Sequence, residues 1–370
     1  MNDIAPYRID VPRADLDDLA DRLDRTRWPD ELPGAGWDYG IPLARVRELA
    51  ERWRHGYDWR AHEAELNKVP QFQTEIDGQR VHFLHVRSAS PDALPLLLLH
   101  GWPGSVLEFR DLLGPLADDF HLVVPSLPGF GFSGPAGERG WDQQRIARAL
   151  AELMTRLGYP SFGAHGGDWG AGIAKALGAV VPERVVGVHV NYLPTLGPLD
   201  GLTGEDRERA ERTAAFAANR PGYQVLQATR PQTISYALTD SPVGQLAWIA
   251  EKFTEWIDPA STIDDDVLLT DVSIYWFTRT AGSSARLAKE SGFGGSCPVP
   301  MGVAVLPFDI VLSVRPLAER VYDIRHWTEL PRGGHFAALE VPAELAADIR
   351  AFFQLRGAPV RPAGTPVPRW

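Results

Sequence analysis

The sequence of 370 residues has one cysteine, Cys297, and only three methionines. A single thiol excludes an internal disulfide and leaves no cysteine cluster for a metal, so no metal site is expected. Positive charge is also in deficit. Lys and Arg total 37 against 48 Asp and Glu, a formal net charge of −11. Nucleic acid and anionic membranes need clustered basic residues, so neither is the expected partner. Long apolar runs are missing. The most apolar, residues 96–99, lies between Pro95 and His100, whereas a bilayer-spanning helix needs about 20 apolar residues. The first six residues contain neither a basic stretch nor an apolar stretch of the secretory kind. No internal repeat and no low-complexity tract is visible. These absences lead to the expectation of a soluble, cytoplasmic protein without a membrane anchor.

What is present is material for a core. Apolar residues make up 44%, with 12 Trp, 15 Phe and 9 Tyr. Such aromatic content excludes intrinsic disorder, and the length allows one large domain or two medium ones. Residues 1–65 read as a helical extension. Leu16, Leu19 and Leu23 form the stripe of an amphipathic helix, with acids in its first turns as the helix dipole favours. The Pro and Gly stretch 29–36 ends it. A second helix is expected over 42–54, with Val46, Leu49 and Trp53 on one face.

Strand patterns follow. Residues 72–76 and 80–86, joined at Asp77-Gly78, read as a hairpin. The runs 96–99 and 121–125 suit strands buried on both faces. Helical periods at 143–157 and 171–180 separate them from strands near 161–164 and 185–190. This alternation predicts an α/β chain with a mostly parallel, doubly wound sheet. The strand signal stops over 191–298, which reads as an inserted helical cap, and resumes near 299–306 and 324–327. A helix over 342–353 closes the pattern. The expected divisions are 1–65 extension, 66–190 and 299–356 core, 191–298 cap and 357–370 extended tail. An insertion of this kind covers the carboxyl ends of the strands, where such sheets bind ligands.

Gly166-Gly167-Asp168-Trp169-Gly170 follows a predicted strand and opens a predicted helix, the spacing of a nucleophile elbow. The small residues suit a strained turn backed closely by its helix. The raised side chain is a carboxylate. It can attack an sp³ carbon and form an alkyl ester, but it cannot act as an esterase serine. Taken alone, Asp168 also suits a helix N-cap. His100-Gly101-Trp102-Pro103 follows the run 96–99, where a loop can supply an N–H to an oxyanion hole. The N–H groups of Trp102 and Trp169 are the candidates; a plain turn with a buried His100 is the alternative. Gly333-Gly334-His335-Phe336 offers a histidine as general base on water. Asp309, just past a strand end, is the preferred partner to orient it, with Asp323, Glu319 and Glu329 as rivals. The order nucleophile, acid, histidine matches this architecture.

The chain resembles the microsomal-type epoxide hydrolases, members of the α/β-hydrolase fold with an N-terminal extension. The resemblance spans nearly the whole length. It includes Trp53, Tyr57-Asp58-Trp59-Arg60 and residues 71–86 in the first part. It continues through His100-Gly101-Trp102-Pro103-Gly104-Ser105, residues 125–133 and the elbow. In the cap it covers residues 239–244 and Glu251-Lys252-Phe253, and it ends with residues 332–340.

The resemblance implies attack by Asp168 on an epoxide carbon, then hydrolysis of the ester by water activated by His335 and Asp309. The product is a vicinal diol. The partners are a small-molecule epoxide and water, and no cofactor is needed. Oligomeric state is open, a homodimer included. The family uses two cap tyrosines to donate hydrogen bonds to the epoxide oxygen. The first falls on Tyr223. The second falls within residues 284–290, where this chain has Ala288. Either Tyr223 suffices for an activated apolar substrate such as an aryl or vinyl epoxide, or Tyr275 or Tyr236, the substrate-binding candidates, takes the missing place; Tyr223 alone also suits aromatic packing. Two other readings stay open: a haloalkane dehalogenase-like hydrolase with the same aspartate, and a non-catalytic small-molecule binder on this scaffold.

Overall fold

A computed structural model describes residues 4–292 and 294–355; the tail expected over 357–370 lies outside them. The chain opens with a short strand, β1 (Ala5–Tyr7), then helices α1 (Arg13–Asp24), α2 (Leu43–Glu51) and α3 (Trp59–Leu66). β1 departs from the all-helical reading of this region. Three residues carry no readable period, and the strand exists only because it pairs with the next one, Pro6 opposite Phe72. The helix expected over 42–54 breaks at Arg52 into one π-helical turn, Arg52–Gly56.

The hairpin follows as β2 (Gln71–Ile76) and β3 (Gln79–Val86), with Asp77 at φ 53° and Gly78 at φ 70° in the turn. Then come β4 (Leu94–Leu99), α4 (Arg110–Ala117), β5 (Phe120–Pro125), α5 (Gln143–Arg156), β6 (Phe162–Gly166), α6 (Asp168–Val180) and β7 (Val185–Val190). Six helices intervene: α7 (Gly204–Ala218), α8 (Gly222–Thr229), α9 (Pro231–Asp240), α10 (Pro242–Glu255), α11 (Asp265–Thr278) and α12 (Ala281–Glu290). The chain re-enters the sheet as β8 (Met301–Val305), α13 (Arg315–Ala318), β9 (Ile324–Glu329), α14 (Ala337–Glu340) and α15 (Pro342–Gln354).

The nine strands form one sheet in the order β1-β2-β3-β5-β4-β6-β7-β8-β9. Pairings from β5 to β9 are parallel and those among β1, β2, β3 and β5 are antiparallel. This is the α/β-hydrolase fold. Leu96 to Leu99 of the central strand β4 are wholly buried, each stabilising the fold by about 1.5–3 kcal/mol. Helices cover both faces. α5 buries Ile146, Leu150, Leu153 and Met154 and is capped by Asp142, whose side chain accepts from the Arg145 N–H at 2.8 Å.

The first three helices grip the six inserted ones. Trp53 Nε1 donates to Ser273 Oγ of α11 at 2.9 Å, and Arg45 pairs with Asp265 at the start of the same helix. Arg22 reaches Asp240 at 3.1 Å. The exposed ion pairs are worth little; the buried indole contact carries more of the alignment. Among the described residues no helix is long and apolar enough to cross a membrane.

Candidate active site

Asp168 stands between β6 and α6 with φ at 43°, a left-handed conformation unusual for a residue with a side chain. The surroundings leave no alternative path. A Cβ on Gly166 would lie 2.4 Å from the Gly170 backbone, and one on Gly170 would lie 1.9 Å from the Leu99 oxygen. One on Gly167 would meet the Asn191 amide at 2.9 Å. The glycines let strand, turn and helix pack in contact, and the turn lifts the carboxylate over the strand ends.

The loop after β4 meets that carboxylate. Trp102 N–H donates to Asp168 Oδ1 at 2.9 Å. A Cβ on Gly101 would stand 2.3 Å from Asp168 Cβ, so only glycine fits there. His100 is wholly buried. Its Nε2 accepts from the Leu127 N–H at 3.1 Å, which leaves Nδ1 to donate to Gly101 O at 3.0 Å. Burial lowers its pKa to about 4, so it is neutral and staples the loop. Pro103 follows through a cis peptide bond. Trp169 lies in the first turn of α6, and its ring is buried beside the carboxylate.

His335 follows β9 on a loop held by two carboxylates. Gly333 N–H donates to Asp258 at 2.9 Å and Gly334 N–H to Glu340 at 3.0 Å. His335 N–H donates to the Trp256 carbonyl at 2.7 Å. The imidazole Nδ1 donates to Asp309 Oδ1 at 2.7 Å, and Nε2 stands 3.6 Å from Asp168 Oδ2. Asp309 Oδ1 also accepts from the Ile310 N–H at 2.7 Å. Burial favours a neutral ring, but the Asp309 and Asp168 carboxylates outweigh it and raise the pKa of His335 to about 10. His335 is therefore held toward its protonated form.

The rivals of Asp309 are engaged elsewhere. Asp323 pairs with Arg325 at 2.6 Å, Glu319 with Arg315 at 2.7 Å and Glu329 with Arg209 at 2.9 Å.

The inserted helices close over the carboxylate. Tyr223 of α8 stacks on Trp102 with ring centroids 5.4 Å apart and planes 13° apart. Burial, then the nearby Asp168 charge, raises its pKa, so the hydroxyl keeps its proton. Trp256 sets its ring edge-on to His335 at 5.0 Å, and Lys252 lies over both Tyr223 and Trp256. Two small voids adjoin Asp168, each about 10 Å³, near the threshold for one water molecule. One lies toward Glu108 and His335. The other lies under α8, beside Tyr223, Gln227 and Ala288.

The two remaining tyrosine candidates are not brought to the carboxylate. Tyr275 is wholly buried, but its hydroxyl donates to Gly104 O at 2.7 Å and it lines neither void. Tyr236 is 71% exposed and lines an outer groove with Asp18 and Arg22. Residue type alone does not tell a helix's inner face from its outer one.

Sequence reasoning missed Glu108, Tyr192, Gln224, Gln227 and Trp256. Glu108 folds over Gly104, where a Cβ would collide with its carboxylate at 1.4 Å. Burial, then the Asp271 carboxylate, raises its pKa to about 8, so it carries a proton at neutral pH. Tyr192 follows β7 and sets its ring edge-on to His335 at 5.5 Å. No local motif marks these residues; the place just past a strand end could have flagged Tyr192 alone. Among the described residues no group of three or more His, Cys, Asp or Glu could hold a metal.

Comparison with known proteins places this geometry among relatives. Residues 4–109 match the family model "Epoxide hydrolase N terminus", and residues 95–191 match "alpha/beta hydrolase fold". A Stigmatella aurantiaca protein bearing an epoxide hydrolase name is 46% identical over 376 residues, covering 95% of this chain and 86% of its own. Epoxide hydrolase 1 of Sus scrofa is 33% identical over 403 residues, covering 95% and 89%. The solved structure of an enantioselective epoxide hydrolase mutant from Aspergillus niger superposes with a TM-score of 0.89 at 32% identity, over 95% of this chain and 96% of that one.

Proposed function

The chain belongs to the epoxide hydrolase family and is a hydrolase acting on the ether bond of epoxides, and from that premise we propose a covalent route through Asp168 to a vicinal diol. The observation that carries this reading is the placement of the Asp168 carboxyl and the His335 imidazole 3.6 Å apart, with Asp309 behind the ring at 2.7 Å. An apolar epoxide binds between Asp168 and Tyr223. One oxygen of Asp168 bonds to a ring carbon, and the ring C–O bond breaks. Its electron pair stays on the epoxide oxygen, which takes a proton from Tyr223. The imidazolium of His335 ultimately replaces that proton.

Ester formation removes the charge of Asp168. One of the two anions that held His335 protonated is gone, so the ring becomes an effective base when it is needed. Neutral His335 takes a proton from water, and the hydroxide attacks the ester carbonyl. Trp102 N–H, already 2.9 Å from Oδ1, is placed to stabilise the oxyanion; the N–H of Trp169 is the second candidate. The alkoxide of the diol leaves and takes the proton of the new Asp168 carboxyl group. The resting pair is restored, and protons balance without any cofactor. The void bounded by Glu108, His335 and Asp168 suits the hydrolytic water.

The test is trapping. His335→Gln incubated with styrene oxide should gain one substrate mass on the peptide carrying Asp168. Wild-type protein should release diol from styrene oxide and no halide from a haloalkane panel. An epoxide turned over by wild type but leaving no adduct on the variant would overturn the covalent route.

A further inference from the structure

Tyr223 and Gln227 lie four residues apart on α8, hence one turn apart on the same face. Both line the void that Asp168 and Ala288 also line. Gln227 is 2% exposed, yet its Nε2 has no hydrogen-bond partner within the protein. A buried unpaired donor costs about 1–3 kcal/mol. A fold that retains one beside its nucleophile holds a donor ready for a ligand atom. The Ala288 methyl on the neighbouring α12 brings no polar atom to this wall.

The direction of attack says which ligand atom. Displacement at carbon sets nucleophile, carbon and leaving oxygen in line. Charge therefore develops across the void from Asp168, on the wall made by α8. Tyr192 also lines this void, but it follows β7 and packs on His335, on the same side as the nucleophile. Gln224 and Gln227 both stand on that α8 wall; of the two, Gln227 has the unpartnered donor, Nε2, and Gln224 an unpartnered acceptor, Oε1.

We propose that Gln227 Nε2–H is the second donor to the epoxide oxygen, beside the hydroxyl of Tyr223. This rests on the covalent reading above. As the ring C–O bond breaks, Tyr223 transfers a proton and Gln227 shares a hydrogen bond without giving its hydrogen up. A donor that cannot transfer a proton assists the leaving oxygen less than an acid does. More of the strain falls on the carbon, and this selects benzylic or allylic epoxides, which tolerate positive charge there, over simple aliphatic ones.

The experiment compares adduct formation in His335→Gln with that in His335→Gln carrying Gln227→Leu. Single turnovers are followed with styrene oxide and with 1,2-epoxyhexane. Removing a preorganised donor costs about 10²–10³ where it is the main one; for a second donor the expected slowing is about 10- to 100-fold, larger with the aliphatic epoxide. Gln227→Leu alone should keep or raise the unfolding midpoint, because an unpaired buried amide is replaced by an apolar group of similar size. Adduct rates within twofold of each other would overturn the inference alone. So would a slowing accompanied by a lowered midpoint, which assigns Gln227 to packing. A loss carried by Tyr192→Phe instead would make Tyr192 the donor and overturn it too. A His335→Gln protein that forms no adduct at all overturns the covalent reading and this inference with it.

Discussion

Nε2 of His335 stands 3.6 Å from Oδ2 of Asp168, too far for a hydrogen bond and close enough for each charge to hold the other. On the proposed route the base is held toward its protonated form while the nucleophile is free, and it is released once the nucleophile is consumed. A histidine held at neutral charge throughout would need no such coupling.

The two chemical steps should then differ in pH dependence. Adduct formation uses Asp168 and the Tyr223 proton and does not require His335, so it should stay level from about pH 6 to 9 in wild type and in His335→Gln alike. Hydrolysis of the ester needs neutral imidazole, so its rate should fall toward acid, with a midpoint below 10. Rapid-quench mass spectrometry of single turnovers separates the two. Stability carries the same sign. His335 has a raised pKa in the fold, so its contribution is full below about pH 6.5 and is lost as pH rises toward 10. The unfolding midpoint of wild type should decline over that interval more than that of His335→Gln.

Tyr223→Phe should separate packing from proton donation. The ring stack on Trp102 survives, so the unfolding midpoint should move little. Adduct formation should slow by about 10²–10³, the cost of a main oxyanion donor, with the larger loss on aliphatic epoxides. Ester hydrolysis should change much less. A variant that alkylates at the wild-type rate would remove Tyr223 from the chemistry.

A buried chain of histidines underlies the elbow and supplies a stability prediction. His165 of β6 meets His189 of β7 at 2.9 Å, and His189 Nε2 donates to Asp348 at 2.9 Å. The other oxygen of Asp348 accepts from His326 at 2.6 Å. Burial alone would push the pKa of Asp348 up, but His189 and its other donors hold it below the usual carboxylate range. That contribution is present above about pH 4 and is lost as pH falls further. Asp348→Asn should cost about 3–5 kcal/mol at neutral pH, as when one partner of a buried pair is removed. Urea unfolding should show the gap to wild type closing in acid.

Much of this protein is written locally. The leucine run of β4 can only be a strand covered on both faces, and β7 is readable as 185–190 by the same logic. Gly166, Gly167 and Gly170 around Asp168 announce a crowded strand–turn–helix, since each place where they stand would reject a Cβ. The lone cysteine excludes an internal disulfide without any fold in view. Such features follow from period, composition and backbone sterics, which act over a few residues.

What the tertiary structure decided lies between residues far apart in the chain. Asp309 is distinguished from Asp323, Glu319 and Glu329 because it meets His335 Nδ1 at 2.7 Å, whereas each rival faces an arginine. The strand β1 exists only through its partner β2. Tyr236 and Tyr275 look as suitable as Tyr223 until one is seen facing solvent and the other spending its hydroxyl on Gly104. Gln227 carries no motif at all. Its meaning comes from being buried, from its unpaired donor, and from sharing a void with a carboxylate 59 positions earlier in the chain. A helix's own sequence shows which face is apolar, but the charge that this face will meet belongs to another part of the chain.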